Sequence, residues 1–160
     1  MLHDAIVEST EHLRPWMPWI AAEPLTVDDR EALITDVFAA GWRNESDFVY
    51  GMFEGARLVG CCGLHASNVV DGLEIGYWVR FSDTGRGLAT ATAQLLCDAA
   101  FRIDGITSVE IHHDRANTAS GRIPEKLGFT LAREREDQIT APGEIGISME
   151  WRLDRPTQGR

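Results

Sequence analysis

The sequence predicts a single α/β domain, in which helices flank a mixed and mostly antiparallel sheet in the order ααβββαβαββ. Three observations support this prediction. Four segments repeat apolar residues at helical spacing, and six shorter segments have the character of strands. A glycine-containing turn, Gly85–Gly87, joins an alternating strand to a long helix. The length suits one core, which we assign to residues 1–153, followed by a polar tail at 154–160.

Two helices are predicted first. His3–Leu13 forms one, which Pro15 and Pro18 prevent from continuing. Its inward side carries Ala5, Ile6, Ser9 and Leu13. The second helix begins at a capping-box-like segment, Thr26–Asp29, and reaches about Trp42. Its predicted inward positions are Val27, Leu33, Ile34, Val37 and Phe38.

Three strands and a central helix follow. The strands Phe48–Phe53, Leu58–His65 and Leu73–Val79 are predicted to form an antiparallel meander. The third strand alternates, so one of its faces is continuously apolar. The helix begins at Leu88, and its predicted inward stripe is Leu88, Leu95, Leu96, Ala99, Ala100 and Ile103.

The C-terminal third supplies the remaining elements. They are a strand at Ser108–His113, a helix from Asn117 to Leu127, a strand at Phe129–Arg135, a loop at Gln138–Gly143 and a strand at Glu144–Arg152. Asn117 is a favourable N-cap, and Gly128 ends the helix. Pro124 denies a hydrogen bond to the carbonyl of Ser120, so we expect a local kink.

Composition narrows the functional classes. The net charge of −10 disfavours nucleic acid as a partner. An acidic surface favours cationic acceptors such as amines, although it also serves solubility alone. No apolar run is long enough for a membrane span, the N-terminus has no basic signal region, and three cysteines make no disulfide framework. We therefore predict a cytoplasmic protein that binds neither membrane nor nucleic acid.

The glycine turn is a candidate phosphate site, because the first amides of a helix have no partner within it and carry partial positive charge. The turn is not a Walker loop, since no Gly-Lys-Ser/Thr follows. It is not a dinucleotide fingerprint either, because Thr90 occupies the position of the third glycine. Arg80 and Arg86 are expected to supply positive charge beside it.

The segment Thr84–Ala89, together with Asn117–Ser120 and Glu125–Phe129 further along the chain, resembles the GNAT superfamily of N-acetyltransferases. The segment Thr84–Ala89 is similar to the family's pyrophosphate loop, Gln/Arg-x-x-Gly-x-Gly/Ala, and departs from it at Thr84. One strand later, Asn117–Ser120 followed by Glu125–Phe129 resembles the family's N-x-x-S…E-K-L-G-F segment. The tryptophans of Trp16–Trp19 and the strand Ile75–Trp78 are similar to the subgroup of ribosomal-protein N-terminal acetyltransferases.

One departure from the family concerns the first strand, which this chain lacks ahead of its first helix. The missing strand belongs at the edge of the sheet, so the fold is expected to survive. The Phe48 strand would then be open to pairing, and this favours a homodimer or pairing with a partner.

The resemblance implies that acetyl-CoA is the cosubstrate. It assigns the pyrophosphate to Gly85, Arg86, Gly87, Ala89 and Thr90, and the pantetheine arm to the backbone of Trp78 and Val79. Asn117 matches a coenzyme-contacting asparagine, a role compatible with capping. Lys126 either reaches the adenosine end or is simply solvated.

The resemblance also implies that the thioester lies in a splay between the Leu73 and Ser108 strands. Ser120 matches the residue that protonates the departing thiolate or binds the arm, or it is merely an exposed helix serine. Glu74 is the candidate base, acting through water, with a carboxylate bonded within the sheet as the alternative. Further base candidates are Glu136, Asp137, His65 and His112, with Ile139 near the place where part of the subgroup carries a base.

Trp16 and Trp19 either wall an acceptor pocket or cap the core. His112 and His113 are adjacent on a strand and point to opposite faces, so we predict no metal site. The leading function is transfer of an acetyl group to a primary amine, such as a protein or peptide N-terminus, a polyamine or an aminoglycoside-like molecule. The alternative is a degenerate member that binds acetyl-CoA without chemistry, as a sensor or interaction protein.

Overall fold

A computed structural model describes residues 1–156. Five α-helices are present there: α1 (Leu2–Leu13), α2 (Val27–Ala32), α3 (Ala39–Arg43), α4 (Leu88–Ala100) and α5 (Thr118–Lys126). A π-helical stretch, Leu33–Phe38, joins α2 to α3, and short 3₁₀ turns occur at Pro18–Ala22 and Phe81–Asp83. The described helices include none with the length and apolarity needed to cross a bilayer.

The six strands form one sheet in the order β1-β2-β3-β4-β6-β5. Their bounds are β1 (Asp47–Glu54), β2 (Arg57–Ala66), β3 (Gly72–Val79), β4 (Ser108–Asp114), β5 (Thr130–Glu136) and β6 (Ile147–Asp154). Only the β3–β4 pair is parallel, and the other four pairs are antiparallel. The predicted fold class and the order of the elements are therefore confirmed.

The main core lies between α4 and one face of the sheet. The buried face of α4 is Ala93, Leu96, Cys97 and Ala100. The predicted stripe is wrong in part, since Leu95 and Ile103 are exposed and Ala99 also faces solvent. The observed stripe still has helical spacing, and its small alanine and cysteine side chains suit a close approach of the helix to the sheet.

The N-terminal helices cover the opposite side. The inward residues predicted for α1 are buried, as expected: Ala5, Ile6, Ser9 and Leu13. The capping box at Thr26 and Asp29 is also present. However, Val27, Ile34 and Val37 are exposed, contrary to prediction. Because the bonds of a π-helix skip one more residue than α-helical bonds, the predicted spacing no longer falls on one face.

The last strand begins later than predicted, at Ile147 instead of Glu144. The cause is Asp114, whose Oδ2 accepts hydrogen bonds from the backbone N–H groups of Ile145, Gly146 and Ile147 at 2.9–3.1 Å. The strand also includes Asp154, and the N–H of Arg155 donates to the carbonyl of Thr107 at 2.8 Å. Ordered structure thus continues past residue 153, and residues 157–160 of the expected tail lie outside the described residues.

Strand β1 is an edge of the sheet, with hydrogen bonds from β2 on one side. Within residues 1–156 no strand precedes α1. Both features match the expectation from the motifs, and association through this edge stays a prediction.

Candidate active site

The sheet opens between β3 and β4. Their parallel pairing covers Gly72–Glu74 and Ser108–Glu110 and then stops, whereas β3 remains paired with β2 as far as Val79. The β4-facing edge of Ile75–Val79 therefore has no partner within the sheet. This is the splay that the sequence motifs led us to expect, and unpaired backbone groups there are available to a ligand.

A cavity of about 840 Å³ runs through this opening. It is lined by six of the predicted site residues: Trp16, Trp19, Glu74, Trp78, Asn117 and Ser120. The remaining predicted residues lie outside its lining: Val79, Gly85, Arg86, Gly87, Ala89, Thr90 and Lys126. The structure therefore brings the predicted catalytic and acceptor residues together, and leaves the glycine turn as a separate surface.

The glycine turn has the geometry that an anion cradle needs. Gly85 and Gly87 have φ angles of 74° and 77°, which favour glycine, and no atom lies within 4 Å of where a Cβ would stand on either. Helix α4 starts directly after Gly87, and no side chain caps it. The first amides of α4 thus face an open surface.

The arginines beside the turn are not free cations, contrary to expectation. Arg86 donates to both carboxylate oxygens of Glu54 at 2.8 and 2.9 Å and to Asp83 at 2.8 Å. Arg80 donates to Glu8 at 2.6 Å, and this bond holds the pKa of Glu8 at about 2. Acidic residues outnumber basic ones in this chain, and both of these arginines are paired with carboxylates.

The start of α5 is fixed by Asn117 and by a tyrosine from β3. The side-chain oxygen of Asn117 accepts a hydrogen bond from the N–H of Ser120 at 3.2 Å, as an N-cap does. The hydroxyl of Tyr77 lies 3.1 Å from Oγ of Ser120 and 3.4 Å from the carbonyl of Ser120. That carbonyl is the one from which Pro124 withholds a donor, so Tyr77 occupies the vacant bonding position.

Tyr77 was not predicted as a site residue, because its place in the apolar alternation of β3 indicated core. Its ring does pack against the core, and burial raises the pKa of the hydroxyl to about 12. The phenol is therefore neutral at physiological pH and can donate to Ser120. The sequence signal that could have found it is Pro124, which leaves a carbonyl in need of a donor.

Glu74 lies in a chain of polar side chains on the opposite face of the sheet. Its Oε2 is 3.3 Å from Nδ1 of His112, whose Nε2 is 3.4 Å from Oε2 of Glu110. Glu110 is buried and accepts the hydroxyl of Ser67 at 2.5 Å. Glu74 thus has its predicted place at the opening, and both of its proposed alternatives, a base and a carboxylate bonded to neighbours, fit this arrangement.

The other base candidates differ in whether they line the cavity. His65 lines the cavity, and its Nδ1 is 2.7 Å from Asp47. Asp137 also lines it, on the loop after β5, and the N–H of Gln138 together with Arg135 lowers the pKa of its carboxyl. Glu136 and Ile139 are exposed and lie outside the lining.

The surroundings of the histidines and of Cys61 bear on two further kinds of site, a metal site and a cysteine nucleophile. His112 faces Glu74, while His113 accepts a hydrogen bond from the indole of Trp151 at 3.0 Å. Among residues 1–156 no three His, Cys, Asp or Glu side chains are grouped to hold a metal ion. Burial raises the pKa of Cys61, in the cavity wall, to about 12, so it is a thiol at neutral pH.

Aromatic residues wall the outer part of the cavity. Trp19 is 39% exposed and lies against Trp78, with ring centroids 6.2 Å apart. Trp16 is partly buried and lines the same space. Behind this wall, the buried Arg30 forms an ion pair with the buried Glu23, a contact that the sequence pattern did not indicate. Exposed indole surface at a cavity mouth favours the acceptor-pocket interpretation.

Comparisons with known proteins agree with the motifs. Residues 1–130 match the acetyltransferase (GNAT) domain family. YdaF of Bacillus subtilis (strain 168), which is provisionally named a ribosomal N-acetyltransferase, is 28% identical over 148 residues, covering 89% of this chain and 78% of YdaF. The predicted resemblance to the ribosomal-protein subgroup is thereby confirmed.

Two solved structures share the fold. RimL, described as a ribosomal L7/L12 α-N-protein acetyltransferase and solved with coenzyme A, has a TM-score of 0.84 at 18% identity, covering 96% of this chain and 86% of its own. MccE, a microcin C7 self-immunity acetyltransferase solved with acetyl-CoA and AMP, has a TM-score of 0.86 at 17% identity, covering 96% and 85%. With its motifs, its sheet and most of its length in agreement, the chain belongs to the GNAT acetyltransferase family and is an acyltransferase.

Proposed function

We propose that the protein transfers an acetyl group from acetyl-CoA to a primary amine, and that the amine is the α-amino group of a protein or peptide. The observation that carries this proposal is the splay between β3 and β4, which opens a passage between the start of α5 and an acidic, aromatic pocket. A thioester held in such a passage is reachable by an amine from the pocket side.

The residues present fit the coenzyme. The open backbone at Gly85 and Gly87 and the first amides of α4, including those of Ala89 and Thr90, would hold its pyrophosphate. The unpaired edge of β3 at Trp78 and Val79 would bind the pantetheine arm. Asn117 would donate through its side-chain amide, which its capping bond leaves uncommitted. When bound, acetyl-CoA supplies the activated acetyl group.

Arg86 and Lys126 are expected to contribute less to coenzyme binding than the backbone groups. Arg86 must first leave Glu54 if it is to contact a phosphate. Lys126 is exposed at the end of α5, where it would reach only the adenosine end of the coenzyme. We therefore assign binding chiefly to backbone groups, which also accommodates the unusual Thr84.

The pocket side suits a cationic acceptor. Asp47, Glu74 and Asp137 line it, so its carboxylates attract an ammonium group. The exposed faces of Trp16 and Trp19 offer cation–π and apolar contacts. RimL is named for action on the α-amino group of a protein, and this supports the same acceptor class here.

Proton transfers are assigned to two residues at the passage. Glu74 would accept a proton from the acceptor nitrogen through water, because its carboxylate lies where β3 and β4 separate. Ser120, whose hydroxyl can accept from Tyr77, would present its own proton to the departing sulfur. An unpaired amide of β3 would stabilise charge on the carbonyl oxygen.

The experiment is an acetylation assay with acetyl-CoA and three acceptors: ribosomal L7/L12, spermidine and kanamycin. We expect transfer to L7/L12, with loss of transfer when its α-amino group is chemically blocked. Transfer to spermidine or kanamycin alone would overturn the assignment of an α-amino acceptor. Absence of transfer to all three, with acetyl-CoA bound, would contradict the proposed reaction for these classes of amine.

A further inference from the structure

Ionisable side chains form a row across four neighbouring strands, on the face that carries the acceptor pocket. Asp47 on β1 pairs with His65 on β2, His65 pairs with Glu74 on β3, and Glu74 pairs with Glu110 on β4. Side chains at directly opposed positions project from the same face of a sheet. The row therefore continues beyond Glu74 to a second group that can take a proton, His65.

Asp47 fixes the protonation pattern of the His65 ring. Its Oδ1 lies 2.7 Å from Nδ1 of His65. Because a carboxylate accepts hydrogen bonds, Nδ1 carries the hydrogen in the neutral ring, and Nε2 is left with a lone pair. His65 and Asp47 have 36% and 45% of their side-chain surface exposed, so a substrate can reach the pair.

Two glycines determine where that lone pair lies. A Cβ on Gly76 would stand 2.8 Å from Nε2 of His65, and a Cβ on Gly63 would stand 2.8 Å from the same atom. The ring thus packs directly on the backbone of these two glycines, where the Cβ of any other residue would collide with it. Gly76 is the second residue of β3 beyond its last pair with β4, so Nε2 sits beside the opening of the splay.

Glu74 is less well placed for the first proton. It precedes Gly76 by two residues, which is about 6–7 Å along a strand. It also faces His112, 3.3 Å away. His65 lines the cavity, and its Nε2 lies over Gly63 and Gly76 without a hydrogen-bond partner among the described residues.

We propose that His65 is a catalytic residue, whose Nε2 takes the first proton from the acceptor's ammonium, and that Asp47 positions it. This inference rests on the proposed function. The N–H bond of the ammonium breaks, its electron pair stays on nitrogen, and the proton passes to Nε2 of His65. The amine then forms a bond to the carbonyl carbon, and the C–S bond breaks with its electron pair on sulfur.

The remaining protons also balance. As the amide forms, its nitrogen loses a second proton to Glu74 through water, and the sulfur takes one from Ser120. Ser120 regains a proton from water, Glu74 returns its proton to water, and His65 releases its own to solvent. The sum is one amide, one thiol and one proton released.

The charged groups around His65 come from several elements. They are Asp47 on β1, Glu74 on β3, His112 on β4, Asp137 on the loop after β5 and the Arg30–Glu23 pair beside the helices. Asp47 is the one in contact with the ring. Removing Asp47 is therefore expected to remove the group that holds the hydrogen on Nδ1 of His65.

The test compares His65→Gln, Asp47→Asn and Glu74→Gln, with His12→Gln as a matched control on the exposed face of α1. Rates of L7/L12 acetylation are measured between about pH 5.5 and 9, and acetyl-CoA affinity is measured by calorimetry.

For His65→Gln we expect kcat/KM to fall about 100-fold near pH 7, with loss of the acidic limb of the pH–rate profile. We expect its affinity for the coenzyme to be retained. For Asp47→Asn we expect a smaller fall in kcat/KM, because the ring loses the carboxylate that keeps the hydrogen on Nδ1. An unchanged limb in His65→Gln, with its loss in Glu74→Gln, would overturn the assignment.

A second measurement is independent of acetyl transfer. Long-range ¹H–¹⁵N NMR of the histidine rings reports which nitrogen carries the hydrogen. We expect His65 to have its hydrogen on Nδ1 in the wild-type protein, and to lose this preference in Asp47→Asn. A hydrogen on Nε2 would overturn the proposal whatever the activity. A correct tautomer in a protein that acetylates none of the three amines would count against the proposed function instead.

Discussion

At the scale of single residues, the contact between Tyr77 and Ser120 links the sheet to the helix that would carry the coenzyme contacts. The phenol is neutral and lies 3.1 Å from the serine oxygen. It can donate to Ser120, which leaves the serine proton for another acceptor. This contact supports the proton-donor role that we propose for Ser120.

Replacing Ser120 with alanine tests that role. We expect turnover to fall about tenfold to a hundredfold, because the departing sulfur loses its proton source, with acetyl-CoA affinity nearly unchanged. Stopped assays and calorimetry measure the two quantities. Thr118→Ala, which removes an exposed hydroxyl two residues away, is the control. Full activity in Ser120→Ala would show that the serine is dispensable.

Asp114 holds the loop before β6 in place. Desolvation acts to raise the pKa of its carboxyl, but hydrogen bonds from Ala116, Ile145, Ile147 and Gly146 outweigh it and lower the pKa below 3.8. A lowered pKa means that the stabilisation is fully present above the unfolded-state value and is lost as the pH falls through the folded-state value.

The variant Asp114→Asn should accordingly lose stability at neutral pH. We expect the free energy of unfolding to fall by about 1–3 kcal/mol at pH 7, since backbone donors lose a charged acceptor. The deficit relative to wild type should shrink as the pH falls below the folded-state pKa of Asp114. Urea unfolding at several pH values measures this, and a deficit independent of pH would contradict the account.

The sequence predicted some residues of the candidate site and gave no indication of others, for a physical reason. Asn117 and Ser120 were predicted from motif spacing, which follows local geometry, and Glu74 from its place on the third strand; all three line the cavity. Tyr77 meets Ser120 of α5, and Asp47 meets His65 of β2, so both contacts join elements that are distant in the sequence. Residue type alone suggested His65 as a base. Its contact with Asp47 and its packing against Gly63 and Gly76 became visible only in the structure.

At the scale of elements, the glycine turn and α4 form a surface whose charge is already satisfied. Arg86 is paired with Glu54 on β1 and with Asp83. An anion at this surface therefore competes with Glu54 for Arg86. The open backbone of the turn is available without any rearrangement.

This competition makes a prediction for Glu54→Gln. Releasing Arg86 should strengthen acetyl-CoA binding about twofold to fivefold, the range expected for an exposed ion pair. Arg86→Gln is the matched variant, and it should not bind more tightly than wild type. Calorimetry at low and moderate salt measures both. Equal affinity in all three proteins would mean that Arg86 makes no contact with the coenzyme.

Element identities were more predictable than element boundaries and faces. The six strands and the main helices follow from periodicity and from glycine, proline and capping signals. The burial of α4 was predicted in part wrongly, because two adjacent stripes have helical spacing and the sheet selects the one with small residues. The start of β6 depends on Asp114, which is distant in sequence, so local patterns could not locate it.

At the scale of the whole molecule, one opening in the sheet connects two different environments. On one side are the start of α5 and the amides near β3, and on the other are carboxylates, histidines and indoles. The net charge of −10 is consistent with a cationic acceptor. Under the proposed function, each substrate would have its own approach to the same short stretch of β3.

The central claim is that acetyl-CoA binds along the glycine turn and the splay, and calorimetry of acetyl-CoA binding to wild type and to Gly87→Asp tests it most directly. Gly87→Ala serves as a matched control for the left-handed backbone, and circular dichroism checks that each variant is folded. We predict saturable binding to wild type, modest weakening in Gly87→Ala and loss in Gly87→Asp, where a carboxylate faces the pyrophosphate. Equal affinity in wild type and Gly87→Asp, or no binding by the folded wild-type protein, would contradict the account.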